Sequence, residues 1–247
     1  MNQVLKKEKG FTLLEALTSL ALLSFILGAS LQAYYVASQH FLKLKEQEEN
    51  FLALRAALDK IRAEIQEEGR HLETAAYLKL VEPFKIESTS LQLIQGEWWI
   101  KPPSDLVKGQ VLLEVNIPQK ISLSRKILIH DETKGEIKEL EKATRNFLIF
   151  TTPLLYSYEK ESTKIILLRK AIVSFDSAKQ KIRFQVNKSP AQPLAEDILS
   201  FKLSWKDTPP LLEIEIISSQ DKENPLKQLV YLKNMALRQQ NQFSEED

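Results

Sequence analysis

Two observations predict an α+β chain, with a long N-terminal helical spine followed by an antiparallel, β-rich globular head. The first is an apolar run from Phe11 to Ala37, after which no proline interrupts the chain until Pro83. The second is a change of period after Gly69, where apolar spacings of three and four give way to alternation. A length of 247 residues suits one membrane segment plus one ordinary domain.

The N-terminus comes first. Residues 1–10 form a short basic leader in which Lys6, Lys7 and Lys9 outweigh Glu8. Residues 11–37 are apolar apart from Glu15, Gln32 and some hydroxyls, and about 20 such residues cross a bilayer as a helix. The lysines before the run place that end in the cytoplasm and the head outside it. Glu15 is the anomaly, because an ionisable group at membrane depth is costly and marks a function with a partner to be named.

Three readings of this segment compete. One is a plain signal anchor. Another is a cleaved secretory signal cut near Gly28-Ala29-Ser30, against which stand Glu15 and the 17 residues from Phe11 to Leu27, too many for an ordinary signal core. The third starts from Lys9-Gly10-Phe11-Thr12-Leu13-Leu14-Glu15, which resembles the processing and methylation site of type IV prepilins and type II secretion pseudopilins. Five features coincide there: a basic leader, glycine before the cut, phenylalanine after it, glutamate four residues on, and an uninterrupted apolar helix. The resemblance implies cleavage after Gly10 by a prepilin peptidase and N-methylation of Phe11. The new Phe11 amine would then stand one helical turn from Glu15, so that in a staggered filament the carboxylate of one subunit meets the amine of the next. Pairing offsets part of the desolvation of both charges and sets register.

The spine is expected to continue beyond the bilayer through residues 38–70 as an amphipathic extension. Leu44, Phe51, Leu54, Leu58, Ile61 and Ile65 share one face, with Leu72 a heptad further on. Lys45, Glu46, Glu48, Glu49, Arg55, Asp59, Lys60, Arg62, Glu67 and Glu68 are read as the solvated face. One helix from Phe11 to Gly69 would be about 90 Å long.

The head, residues 71–236, reads as many short strands. Tyr77–Val81, Leu91–Ile94 and Trp98–Ile100 are broken by Pro83 and Pro102-Pro103. Val111–Ile117 and Ile121–Ile129 flank Pro118 as a hairpin, and His130–Gly135 forms a loop before Ile137 and Leu140. Asn146–Phe150, Lys164–Leu168 and Ala171–Phe175 continue the pattern. Ile182, Phe184 and Val186 share one face, as do Phe201, Leu203 and Trp205, and Leu212, Ile214 and Ile216. One-sided strands suit antiparallel sheets with a wet face. Residues 237–247 are a polar tail expected to fray.

The stretch from Ile165 to Ala236 is also similar, loosely, to minor pilin and pseudopilin heads of the J/W kind. Glu15 disfavours the K-type tip pseudopilins, which usually lack the fifth-position glutamate. The length favours a low-copy minor subunit over a major one. The partners this implies are the prepilin peptidase, major and other minor pilins or pseudopilins, an inner-membrane assembly platform and the bilayer. An uncleaved, signal-anchored binding or scaffold domain outside the cytoplasm is the alternative.

Other classes lose support from composition. Net charge is +1, from 34 basic and 33 acidic residues, so no direct nucleic-acid contact is expected. The chain has no cysteine, which removes disulfides, thiolate catalysis and zinc–thiolate sites. Its six glycines form neither a GxGxxG nor a Walker loop, and no cofactor is expected. His40, His71 and His130 have no metal-ligand spacing and are expected at the surface. Glu48-Glu49, Glu67-Glu68 and Asp131-Glu132 are neighbours that point apart, and Ser189 lacks a nucleophile elbow, so no catalytic residue is assigned. Of Trp98 and Trp99, one is expected in the core and one at the surface.

Overall fold

The computed structural model describes residues 12–117, 121, 125–206, 211–219 and 224–232. Lys6, Lys7, Lys9, Gly10, Phe11, Pro118 and the tail from 237 lie outside the described residues. The architecture is α+β, and the chain divides into two compact units, residues 1–52 and 53–247.

The described part of the first unit is helical from Leu13 on: α1 runs Leu13–Gln66, and its residues up to Leu52 belong here. Ala, Leu and other unbranched residues favour the helix, and no proline opposes it. Leu44 and Phe51, expected to continue the buried stripe, are exposed.

In the second unit the last turns of α1 bury Leu54, Ala57, Leu58, Ile61 and Ile65. They pack on Leu91, Leu93, Ala171, Val173 and Ile182 from one sheet and on Phe201, Leu212, Ile214 and Ile216 from another. Ile61 is fully enclosed, and truncation to alanine would cost about 2–5 kcal/mol. The helix ends where Gly69 turns into the left-handed region at φ 67°. There Gly69 N–H donates to Ile94 O at 3.0 Å and Gly96 N–H to Arg70 O at 2.8 Å. A side chain at Gly96 would start 2.7 Å from Ile166 Cγ2, so the close approach of helix end and sheet requires glycine.

Among the described residues a second helix, α2 (Glu73–Tyr77), precedes twelve strands: β1 (Phe84–Glu87), β2 (Ser90–Ile100), β3 (Leu112–Glu114), β4 (Lys126–His130), β5 (Gly135–Ala143) and β6 (Phe147–Phe150). The rest are β7 (Lys164–Asp176), β8 (Lys181–Val186), β9 (Gln192–Ala195), β10 (Ile198–Lys206), β11 (Leu211–Ser218) and β12 (Leu226–Tyr231). Nine of them form one sheet in the order β1-β2-β7-β4-β5-β6-β3, with β8 also on β7 and β9 on β8. The other three form the sheet β10-β11-β12, and every pairing among the described residues is antiparallel. Besides the cluster under α1, a second core joins Ile127, Ile129, Leu148, Phe150, Leu106 and Tyr158. A third, on Leu128, Ile166 and Leu168, is covered by Leu72, Ala75 and Val81.

The alternation in β10 and β11 agrees with the sequence reading, in β8 Ile182 is buried with Phe184 packed beside it while Val186 is only half-buried, and Trp98 packs on the second core while Trp99 is 44% exposed. Elsewhere the structure corrects it. Tyr77–Val81 is no strand: α2 reaches Tyr77, and Lys79 at φ 56° closes it, with Leu80 N–H on Ala75 O and Lys79 N–H on Ala76 O. Leu91–Ile94 and Trp98–Ile100 are one strand, bulged between Gly96 and Trp98, and Lys164–Leu168 and Ala171–Phe175 are likewise one. Among the described residues Val111–Ile117 and Ile121–Ile129 do not pair as a hairpin across Pro118. Asp131 Oδ1 caps Thr133 N–H and Lys134 N–H, both at 2.8 Å, and so closes β4 on β5. With β7 on its other side, β4 has no edge left, and Leu112–Glu114 pairs with β6 instead. His130 and Glu68, expected in solvent, are both buried.

Candidate functional site

α1 opens on Thr12, and the side chains of its first turn close a reciprocal cap. Glu15 N–H donates to Thr12 Oγ1 at 3.3 Å, while Thr12 N–H and Thr12 Oγ1–H both donate to Glu15 Oε2 at 3.0 Å. This is the capping box of a T-x-x-E start, which satisfies helix donors that would otherwise be bare. It also turns the Glu15 carboxylate back toward the chain's beginning, where the helix dipole favours negative charge. Among the described residues Oε1 accepts no hydrogen bond, so it remains available to a second donor. Phe11, whose amine was expected to be that donor, lies outside the described residues, as do Gly10 and the three lysines.

Beyond this turn, as far as Leu31, the helix surface is mainly apolar. Leu13, Leu17, Leu20, Phe25, Ile26 and Leu31 are all more than half exposed. No Asp, Glu, Lys or Arg other than Glu15 lies between Lys9 and Lys43. The hydroxyls bond within the helix, Thr18 Oγ1 to Leu14 O at 3.0 Å and Ser24 Oγ to Leu20 O at 2.8 Å, so neither needs water. The helix is long and apolar enough to cross a membrane, consistent with a single anchor.

The head holds its charges in closed arrangements. Glu64 of α1 receives Arg169 of β7, Nη2 to Oε1 at 3.0 Å, and Lys60 Nζ at 2.7 Å. Burial pushes the Glu64 carboxyl up, but the Arg169 and Lys60 hydrogen bonds outweigh it and hold it below the usual carboxylate value. Glu136 and Lys138, each with 4% of its side chain exposed, pair at 2.7 Å inside the second core. The same carboxylate accepts Leu155 N–H at 3.0 Å, Tyr156 N–H at 3.3 Å and Tyr158 O–H at 3.2 Å, pinning the 151–158 loop. Burial first, then the Glu136 charge, raises the Tyr158 hydroxyl well above its ordinary value.

His130 has 3% of its surface exposed, and its Nδ1 lies 2.9 Å from Asp131 O. Burial lowers its pKa, and the Lys164 charge adds to that. Ser189 caps a turn, its Oγ–H donating to Val186 O at 2.6 Å. Among the described residues no group of three or more histidine, cysteine, aspartate or glutamate side chains is placed to hold a metal ion.

The structure therefore joins Thr12 to Glu15 and leaves the other expected site residues outside its described part. The T-x-x-E spacing was visible in the sequence but had been absorbed into the processing motif. The Glu136–Lys138 pair had no local signal, since it depends on which face β5 turns inward.

Among known protein families, residues 5–31 match the one described as the prokaryotic N-terminal methylation motif. No curated protein and no solved structure matches the chain. The motif supports a type IV prepilin-like protein, carrying one apolar anchor helix and a β-rich head.

Proposed function

We propose that this chain is a minor pseudopilin or minor pilin of the J/W kind, a non-catalytic subunit that primes or caps a type II secretion pseudopilus or a type IV pilus. One observation carries the reading: the methylation motif at residues 5–31 runs directly into an unburied apolar helix whose first turn holds a lone carboxylate. Prepilin peptidase cuts after Gly10 and Phe11 is N-methylated. The protein sits in the inner membrane, crossing once, with the leader in the cytoplasm and the head outside. In the filament Glu15 meets the Phe11 amine of a neighbouring subunit and sets the stagger, the apolar helices pack together, and the head selects neighbouring minor subunits. The work is mechanical and needs no cofactor.

The Thr12–Glu15 box gives one specific support to the other reading, an uncleaved anchor, because capping alone gives the carboxylate a role without any terminus. The mass of the N-terminal peptide, from protein made in its own host, separates the two. A peptide starting at Phe11 with one added methyl group is the expected result. A peptide starting at Met1 or Asn2 would refute processing and leave Glu15 as a helix cap.

A further inference from the structure

The alternation of β5 runs against its polarity. Glu136, Lys138 and Leu140 face the core, which leaves Ile137 on the outer face, 40% exposed. On that face α2 covers Leu128, Ile166 and Leu168 but is only five residues long, and beyond it Ile94 and Ile172 are left half-buried. There Ile137, Ile94 and Ile172 with Leu80 floor a cavity of about 470 Å³. A pocket of this size is in the range that takes a few side chains of a bound segment.

Its rim is cationic. Arg125 and Lys188 line it but are matched, to Glu97 and Glu139 (the latter at 2.8 Å). Lys126 stands across from Glu139 in the β4–β5 ladder, whose carboxylate Lys188 already holds, and Lys170 is the other lysine at the mouth. Neither ammonium makes a hydrogen bond or ion pair among the described residues. Glu82 is the sole acid among the described lining residues, and Lys85, whose charge it feels, is paired with Glu87 at 2.9 Å. Two amides complete the wall: Gln92, and Asn187, whose Oδ1 accepts Lys170 N–H at 3.0 Å and whose amide hydrogens donate no hydrogen bond among the described residues.

We infer that this cavity docks a peptide segment of another protein that alternates apolar and acidic side chains, its apolar groups on Ile94, Ile137 and Ile172 and its carboxylates on Lys126 and Lys170. Charge complementarity selects the occupant: outside the Arg125–Glu97 and Lys188–Glu139 pairs, Lys126 and Lys170 outnumber Glu82 among the described lining residues, an excess that an acidic partner cancels. The amides favour a peptide over an acyl chain, since a main chain can use them and a hydrocarbon cannot. The inference rests on the head alone and stands whether or not Gly10 is a cleavage site.

The test uses the full chain in phosphatidylcholine nanodiscs and a fluorescent hexapeptide alternating leucine and glutamate, read by anisotropy. Saturable binding is expected, weakened about tenfold when glutamine replaces the peptide's glutamates, as the loss of two half-exposed charge pairs would give. Lys126→Glu with Lys170→Glu should weaken it as much and should transfer preference to a leucine–lysine hexapeptide; unchanged tryptophan emission would show that the head still folds. No binding, or binding indifferent to these changes, would overturn the inference. So would displacement of the peptide by phosphatidylglycerol, which would make the occupant a lipid. Binding seen only after deletion of residues 237–247, which end in Glu245-Glu246-Asp247, would place the chain's own tail there and equally overturn it.

Discussion

Replacing Arg169 with methionine tests how the last turns of α1 are held to the sheet. The substitution strips Glu64 of its bidentate partner while leaving the carboxylate in place, 6% exposed. Removing one member of a buried pair costs about 3–5 kcal/mol, because the other charge stays desolvated. Two features reduce that figure here. Lys60 still reaches Oε1 at 2.7 Å, and Arg169 is itself 19% exposed, so water enters its space. A loss of about 2–3 kcal/mol follows, and at about 2 kcal/mol per molar urea the unfolding midpoint falls by about 1–1.5 M. The assay is urea titration of the full chain in nanodiscs, followed by tryptophan emission; Trp98, Trp99 and Trp205 all lie in the head, so the signal reports on it alone. Glu64→Leu combined with Arg169→Met should recover most of the loss, since an apolar pair of similar volume replaces an ion pair at little cost. A single variant as stable as the wild type, or a double variant no better than the single, would refute the reasoning.

Three other outcomes are expected. Gly10→Val should leave the chain at its full, unmethylated length, read by N-terminal peptide mass; normal processing of this variant would rule out the peptidase site. Glu15→Ala should insert into membrane as well as the wild type or better, yet co-purify far less with filaments, and equal incorporation would deny the carboxylate a role in register. His130 bears on pH. Its folded pKa lies below the ordinary 6.5, so as pH falls the unfolded chain takes up the proton first. Its contribution is whole above about 6.5 and is lost as pH drops toward the folded value, so His130→Gln should flatten the decline of the urea midpoint across that interval. An unchanged pH profile would show that the burial of the ring carries no such linkage.

The helix was legible in the sequence because its determinants are local: an apolar run and no proline to residue 82. β10 and β11 were legible because Lys202 and Ser204, then Glu213 and Glu215, alternate with apolar neighbours that all face inward. β5 was not. Its apolar residues Ile137 and Leu140 sit three apart, so they cannot share a face of a strand, and the sequence does not say which wins. Tertiary packing decides for Leu140 and takes Glu136 and Lys138 inside with it. The partner of Leu112–Glu114 was equally hidden, since strand pairing depends on edges that only the folded sheet defines. At the N-terminus the lone carboxylate was obvious, whereas its bond to Thr12 needed the backbone geometry of the first turn.

The Glu136–Lys138 pair also restricts how this protein can evolve. A lineage that changes either residue alone passes through a chain holding one buried charge without its ion-pair partner, a loss of at most about 3–5 kcal/mol, since Glu136 keeps its Leu155, Tyr156 and Tyr158 donors or Lys138 its Pro153 O, against a total stability of about 5–15. Such intermediates are the ones selection removes. Among descendants of this chain the two positions should therefore change together, to an apolar pair or with charges exchanged, or not at all, and Ile137 between them stays on the outer face for as long as they do not move.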